Sequence, residues 1–325
     1  MSKITIKDVA REAGVSVSAV SHVLNDYPDI SSETRKKVLE AVSRLDYIPN
    51  NAARQLSSKK KKVIALILNE INVTRGVAMP LEILGGVVDA LDDTTYEFVF
   101  YAVNTKRQNQ KTLKQFCNEH DITGVIIQGL RVTDPYYKEL ETFELPTVVI
   151  DMFVENENVG SVSTDNRKAA ADVTSRLLKA GYKKILFVNG SKDAVVSKER
   201  ERGYREKALS PEVRYADFSE EKAYALIESL ENPQQYDAIF AASDLMAIGI
   251  IKALTVRQLE RSIAVVGFDD ITLASYITPT LTTVRQNIGL FTEKAVQDLL
   301  LQIETGQVIQ RYIPYDVVVR ESAKI

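Results

Sequence analysis

Through the first 45 residues apolar side chains recur every three or four positions in three short blocks, and from residue 63 onward they gather into solid runs separated by amphipathic stretches. The first spacing belongs to helices that bury one face. The second belongs to parallel strands, buried on both faces and alternating with helices. In the first block Val9, Ala10 and Ala13 follow Thr5 and Asp8, whose separation makes an acidic capping box. Gly14 ends that helix where a left-handed residue costs least. Ser16 is placed to cap a second helix whose Val20, Val23 and Leu24 face inward, leaving Val17, Ser18, Ser21 and His22 on the other side. Pro28 sets a loop over 26–30, and Ser31 or Ser32 caps a third helix to about Leu45, with Val38, Leu39, Val42 and Leu45 on one side. This is the layout of a helix-turn-helix, whose second helix lies in the major groove. A small helical hairpin within some other domain has the same local pattern. Ser16, Ser21, Asn25 and Ser31 stand near helix ends, where they can bond phosphates or serve as plain caps.

The solid runs predict strands over 63–68, 98–103, 124–128, 147–151, 184–188, 238–241 and 264–268, and a closing strand over 312–319. Between them the pattern predicts helices over 79–92, 109–119, 135–142, 166–180, 198–208, 219–230, 244–257 and 289–304. The βα alternation runs once, then restarts, which predicts two doubly wound lobes with parallel sheets.

Composition changes the picture at two places. Residues 1–62 hold twelve basic and seven acidic side chains, a charge of +5, whereas the remainder holds 29 basic and 37 acidic, a charge of −8. A basic head on an acidic body suits a DNA-reading module fused to something else. The single cysteine, Cys117, excludes an internal disulfide framework and fits a reducing compartment. No apolar run has membrane-spanning length and no signal peptide is visible, so a cytoplasmic location is expected. Between head and body, residues 49–62 carry small residues, one apolar Leu56 and a lysine run. Such a segment is expected to become helical on DNA, with Ala53 fitting the minor groove and Leu56 wedged between base steps; a solvated linker is the alternative.

Residues 4–62 resemble the DNA-binding head and hinge of the LacI/GalR family of bacterial transcriptional regulators. The resemblance is carried by Thr5-Ile-x-Asp-Val-Ala, Gly14-Val-Ser, Val20-Ser-x-Val-Leu-Asn25 and Tyr47-x-Pro-Asn50-x-x-Ala53-Arg-x-Leu56. It implies that Val17, Ser18 and His22 occupy base-reading positions, with Thr5, Asn25 and Asn50 among the DNA contacts. The family usually has arginine at His22, so the operator half-site is expected to be unusual. The body resembles the same family's effector domain, itself similar to periplasmic sugar-binding proteins, through Ser163-Thr-Asp-Asn166, Arg200-x-x-Gly203-Tyr204, Ser243-Asp-x-Met-Ala247, Val266-Gly-Phe-Asp-Asp270 and Thr280-Leu-Thr-Thr-Val-x-Gln286. The implied fold is an all-α helix-turn-helix head plus an α/β two-lobed, periplasmic-binding-protein-like effector domain.

The implied boundaries are 1–48 for the head, 49–62 for hinge helix and linker, and 63–325 for the effector-binding and dimerisation body. Its lobes are expected at about 63–161 plus 290–319, and 162–289 plus the C-terminal end. In that fold the ligand sits between the lobes at the carboxyl ends of the strands. By position Asp165, Arg200, Ser243 and Asp269 are the polar clamps for a sugar, with Gln128, Gln286 and Asn72 as further candidates. Asp269 ends an apolar strand, so its carboxylate is expected to project into the cleft; capping of the following turn is the alternative. Asp244 is expected to cap its own helix.

The resemblance implies a homodimer, a pseudo-palindromic double-stranded operator, a sugar or sugar phosphate as effector, and no cofactor, metal or membrane partner. The chain ends without a leucine-heptad tail, so a dimer is expected in place of a tetramer. The loop 69–75 lacks the family's asparagine-proline-aromatic run, and 259–262 lacks its proline, which suggests a differently shaped ligand or, as an alternative, control by a protein partner of the phosphocarrier type. No nucleophile set, metal-ligand spacing or phosphate-binding glycine loop points to an enzyme. A free-standing solute-binding protein is the remaining alternative, and the basic head argues against it.

Overall fold

The computed structural model describes residues 4–24, 27, 30–45, 47, 62–70 and 78–325. The chain divides into two compact units, Met1–Lys61 and Lys62–Ile325. In the first, α1 (Ile6–Ala13), α2 (Val17–Leu24) and α3 (Ser32–Arg44) share a core of Val9, Ala10, Val20, Val23, Val38, Ala41 and Tyr47. Gly14 ends α1 at φ 66°. Leu39 is 51% exposed. The inward face of α3 is instead Val38 and Ala41, with Val42 and Leu45 partly buried beside them, because a three-residue step from Val38 keeps the face and a one-residue step leaves it.

Among the described residues the second unit contains two six-stranded sheets. The first, in the order β11-β5-β4-β3-β1-β2, is parallel throughout. Its strands are β1 (Val63–Asn69), β2 (Glu97–Val103), β3 (Ile122–Gln128), β4 (Thr147–Ile150), β5 (Val159–Thr164) and β11 (Gln310–Ile313). Successive residues of β1 feed opposite cores: Val63, Ala65 and Ile67 join one cluster, Ile64, Leu66 and Leu68 the other. An apolar run without alternation is thus read as a strand with a helical layer on each side. One layer holds α6 (Leu113–Glu119) and α7 (Pro135–Leu140), with α5 (Thr105–Gln110) nearby; the other holds α4 (Ala78–Leu91) and α12 (Ile288–Thr305).

The second sheet has the order β12-β10-β9-β8-β6-β7, parallel except where β12 runs against β10. Its strands are β6 (Ile185–Asn189), β7 (Glu212–Tyr215), β8 (Ala238–Ala241), β9 (Ala264–Asp269), β10 (Thr282–Gln286) and β12 (Tyr315–Val318), and its helices α8 (Asn166–Lys179), α9 (Val195–Lys207), α10 (Glu220–Glu228) and α11 (Asp244–Val256). The chain therefore passes between lobes three times, at 164–166, 286–288 and 313–315.

Four sequence expectations are corrected. The helix expected over 109–119 is α5 and α6, separated where Lys111 is extended and Thr112 opens a fresh capping box with Gln115. The closing strand over 312–319 is two strands in different sheets, broken at Pro314, which has no N–H to donate to a ladder. The first lobe's returning segment thus ends at Ile313 and not at 319, and β5 carries the first sheet to Thr164, past the expected limit of 161. Strands β5, β7 and β10, rich in serine, threonine and charge, complete the two sheets in addition to the expected strands.

Gly203 fixes how closely two helices approach beside the cleft. A Cβ added there lies 2.0 Å from the carbonyl oxygen of Arg167 on α8. Gly203→Ala is expected to push α9 off α8 and cost roughly 1–3 kcal/mol, read as a lower urea midpoint at unchanged slope.

Candidate functional site

In the head, Asp8 Oδ2 accepts from Thr5 N at 2.9 Å and Thr5 Oγ1 at 2.7 Å. These bonds hold the Asp8 carboxyl below its usual range. Ser16 Oγ accepts from Ala19 N at 3.1 Å and Ser31 Oγ from Thr34 N at 3.2 Å. Thr5, Ser16 and Ser31 are therefore caps, placed at helix N-termini whose dipoles favour a phosphate. Val17 and Ser18 are exposed and Ser21 and His22 half-buried on the side of α2 away from Val20 and Val23. The His22 ring lies 4.8 Å from that of Tyr27. Asn25, Asn50, Ala53 and Leu56, and most of the hinge segment 49–62, lie outside the described residues.

In the body, a buried polar cluster sits where strands of both sheets end. Its centre is Arg200 of α9, only 3% exposed. Its Nε donates to Asn166 Oδ1 at 2.7 Å and its Nη1 to the Ala242 carbonyl, and its guanidinium lies 3.6 Å from the centre of the Phe268 ring. Burial pulls the Arg200 pKa down, while the carboxylates of Asp269, Asp151 and Asp244 pull it up. The same burial pushes Asp269, Asp244 and Asp151 above the usual carboxylate range; Arg200 opposes this at Asp269 and Asp151.

Asp269 ends β9 at φ 121°, followed by Asp270 at φ 58°. The Asp269 Oδ1 accepts from Gln286 Nε2 at 2.8 Å, and Gln286 Oε1 is buried without a partner among the described residues. Asp244 Oδ1 accepts from Thr283 Oγ1 at 2.5 Å and Oδ2 from Ile271 N at 2.9 Å. The capping expected of Asp244 falls instead to Ser243, whose Oγ accepts from Met246 N at 3.3 Å. Asp165 likewise caps α8 through Lys168 N at 2.9 Å.

Of the candidates, Arg200, Asp269 and Gln286 share the cluster. Asp165 and Ser243 adjoin it, next in sequence to Asn166 and Ala242, which accept from Arg200. Gln128 ends β3, half-buried. Asn72 lies outside the described residues. The end of β1 is tied to the loop after β3 and to α5 by Asn69, whose Nδ2 donates to Asp134 Oδ2 at 3.0 Å and whose Oδ1 accepts from Gln108 Nε2 at 2.8 Å. Across the opening Val132 N donates to the Asp193 carbonyl at 3.1 Å, first lobe to second. Asp151 and Asn166 were not among the sequence candidates. Asp151 directly follows the apolar strand β4, as Asp269 closes β9, and that shared signal marks both.

Comparison with known proteins follows the same division. Residues 5–50 match the model of the bacterial regulatory proteins of the lacI family, and residues 174–323 match a periplasmic binding protein-like domain. The chain is 34% identical to the ribose operon repressor of Halalkalibacterium halodurans, over 98% of this chain and 97% of the relative. It is 31% identical to the HTH-type transcriptional regulator CelR of Thermobifida fusca, over 98% of each. Among solved structures, the complex of the transcriptional regulator CelR with cellobiose superposes with a TM-score of 0.73 at 28% identity, covering 98% of this chain and 100% of that one.

Proposed function

The chain belongs to the LacI family of bacterial regulatory proteins, and from that premise we propose a homodimeric repressor of carbohydrate-utilisation genes, acting in the cytoplasm, whose operator affinity is set by a sugar held between its lobes. It is a sequence-specific DNA-binding transcriptional regulator. Val17, Ser18 and His22 read base edges; Thr5, Ser16, Ser21, Asn25, Ser31 and Asn50 fix register, and Ala53 and Leu56 work in the minor groove.

One observation carries the effector reading: a buried arginine held by Asn166, Ala242 and Phe268 among three carboxylates, at the ends of strands from both sheets. Planar guanidinium, carboxylate and amide groups match adjacent sugar hydroxyls, and the unpartnered Gln286 Oε1 is able to accept from one. The charge balance favours a neutral sugar over a phosphate ester. Of the other arginines at the cleft, Arg167 is paired with Glu206 and Arg311 with Asp298. Relatives named for ribose and bound to cellobiose support the same class. A ligand touching both lobes binds one lobe angle better than the other, and by linkage shifts operator affinity.

The dimer reading rests on α4, where Leu81 and Val88, two turns apart, are 59% and 48% exposed. Gly85 stands between them, and no atom of the described residues lies within 4 Å of its Cβ position. Such a stripe fits a self-complementary contact with a second copy.

The test is fluorescence anisotropy with an inverted-repeat duplex selected from a random pool. Full-length protein is expected to prefer that duplex at least about a thousandfold over random DNA, and a chain of residues 62–325 to bind neither. An absence of preference at every salt concentration, with and without sugars, rejects the regulator reading.

A further inference from the structure

A second polar surface adjoins the Arg200 cluster. In β5, Val159 faces the core on one side of the first sheet and Val162 the core on the other. Alternation puts Ser161 and Ser163 on the Val159 face. Strand β11 pairs in register, Gln310 with Ser161 and Tyr312 with Ser163, so the edge of that face changes from apolar to polar. A cavity of about 240 Å³ lies over it, roofed by the loop after β4 and walled by the start of α9 from the other lobe.

Two aromatic rings line this cavity and are left open: Phe153, 50% exposed, and Tyr312, 70% exposed. The Phe153 loop is pinned, its carbonyl accepting from Tyr137 Oη at 2.9 Å. The cavity is continuous with the cluster through shared residues. Asp151 Oδ1 accepts from Ser163 Oγ at 3.0 Å, Asn166 Nδ2 donates to Ser163 Oγ at 3.3 Å, and Asn166 Oδ1 accepts from Arg200.

We propose that this cavity is a second sugar subsite, so that the effector is a saccharide of at least two rings. One ring is held at the Arg200–Asp269 cluster, and the next lies against Phe153 and Tyr312 with its hydroxyls on the serine and glutamine edge. This rests on the effector reading above. Aromatic faces pack against the C–H face of a pyranose while the strip supplies hydroxyl partners, a combination a one-ring ligand leaves unused. The subsite draws on both lobes, so a two-ring ligand also holds their angle more firmly.

The experiment is isothermal titration calorimetry of the full-length chain with glucose, galactose, ribose and xylose, and with cellobiose, maltose, lactose and xylobiose. At least one disaccharide is expected to bind about tenfold or more tightly than its constituent monosaccharides. Tyr312→Ala and Phe153→Ala are expected to remove that advantage without changing monosaccharide affinity, and Tyr312→Phe to keep it. Both side chains are largely exposed, and unchanged melting temperatures will verify folding. A monosaccharide that binds as tightly as any disaccharide, or a Tyr312→Ala loss shared equally by one-ring and two-ring ligands, overturns the subsite and leaves the effector reading standing. No binding by any of the eight overturns the effector reading, and the subsite with it.

Discussion

Asp269→Ala is expected to abolish the sugar response while leaving operator binding intact. The carboxylate sits where a purely structural residue gains little. Its φ of 121° is a region that L residues rarely adopt, worth roughly 1–3 kcal/mol of strain. Burial raises its pKa from the ordinary 3.8, so ionising it costs the native state, and Gln286 donates a hydrogen bond to it. A ligand offering paired hydroxyls adds further hydrogen bonds to that buried carboxyl group. Removing them weakens sugar binding roughly ten- to a hundredfold, taking the response out of range.

Stability is expected to move the other way. The folded pKa lies above the unfolded one, so the native state keeps a proton that the unfolded chain releases. The resulting penalty is absent below the unfolded value and grows as pH rises toward the folded one. The melting temperature of Asp269→Ala relative to the parent should therefore climb with pH from about 4 upward, and Asp269→Gly, free of the backbone strain, should exceed it. A variant that melts lower at every pH and still releases operator with sugar would make Asp269 a structural residue.

What the sequence disclosed and what it withheld have physical causes. Strands buried on both faces, such as β1, β4 and β8, announce themselves because nothing polar interrupts them. Strands β5, β7 and β10 do not. β7 lies at a sheet edge, and β5 and β10 each pair with a last short edge strand, where serine, threonine and arginine find partners or solvent. The break at Pro314 was visible as a proline, but that the two halves enter different sheets is a property of the crossover and not of any local pattern. In the site, Arg200 and Asp269 emerged from motif spacing. Asp151 did not, although it follows an apolar strand just as Asp269 ends one. Asn166 was quoted within a motif, and its bond to Arg200 spans 34 residues of sequence, which no periodicity reports. Asp165 and Ser243 show the converse: each caps a helix, and Asp165 also lines the cavity between the lobes, so a capping signal does not exclude a ligand role.

Leu56→Ala carries the largest expected effect on DNA. The segment around it lies outside the described residues, so the expectation rests on its chemistry: small Asn51, Ala52 and Ala53, then a lone leucine, then Lys59 to Lys62. A leucine wedge between base steps requires unstacking, a few kcal/mol, and recovers it only where the duplex bends to meet the rest of the protein. On random DNA the bend is not made and the leucine contributes nothing. Specific affinity should therefore fall roughly a hundredfold, while nonspecific affinity stays where it was. The salt dependence of specific binding should keep its slope, because no cation is removed. Lys60→Gln and Lys61→Gln, by contrast, should flatten that slope by about one unit for each phosphate no longer neutralised, and weaken both kinds of binding together. The two classes of variant separate wedge from charge in one titration series. Equal losses on operator and random DNA for Leu56→Ala would reject the wedge and leave the hinge a cationic linker.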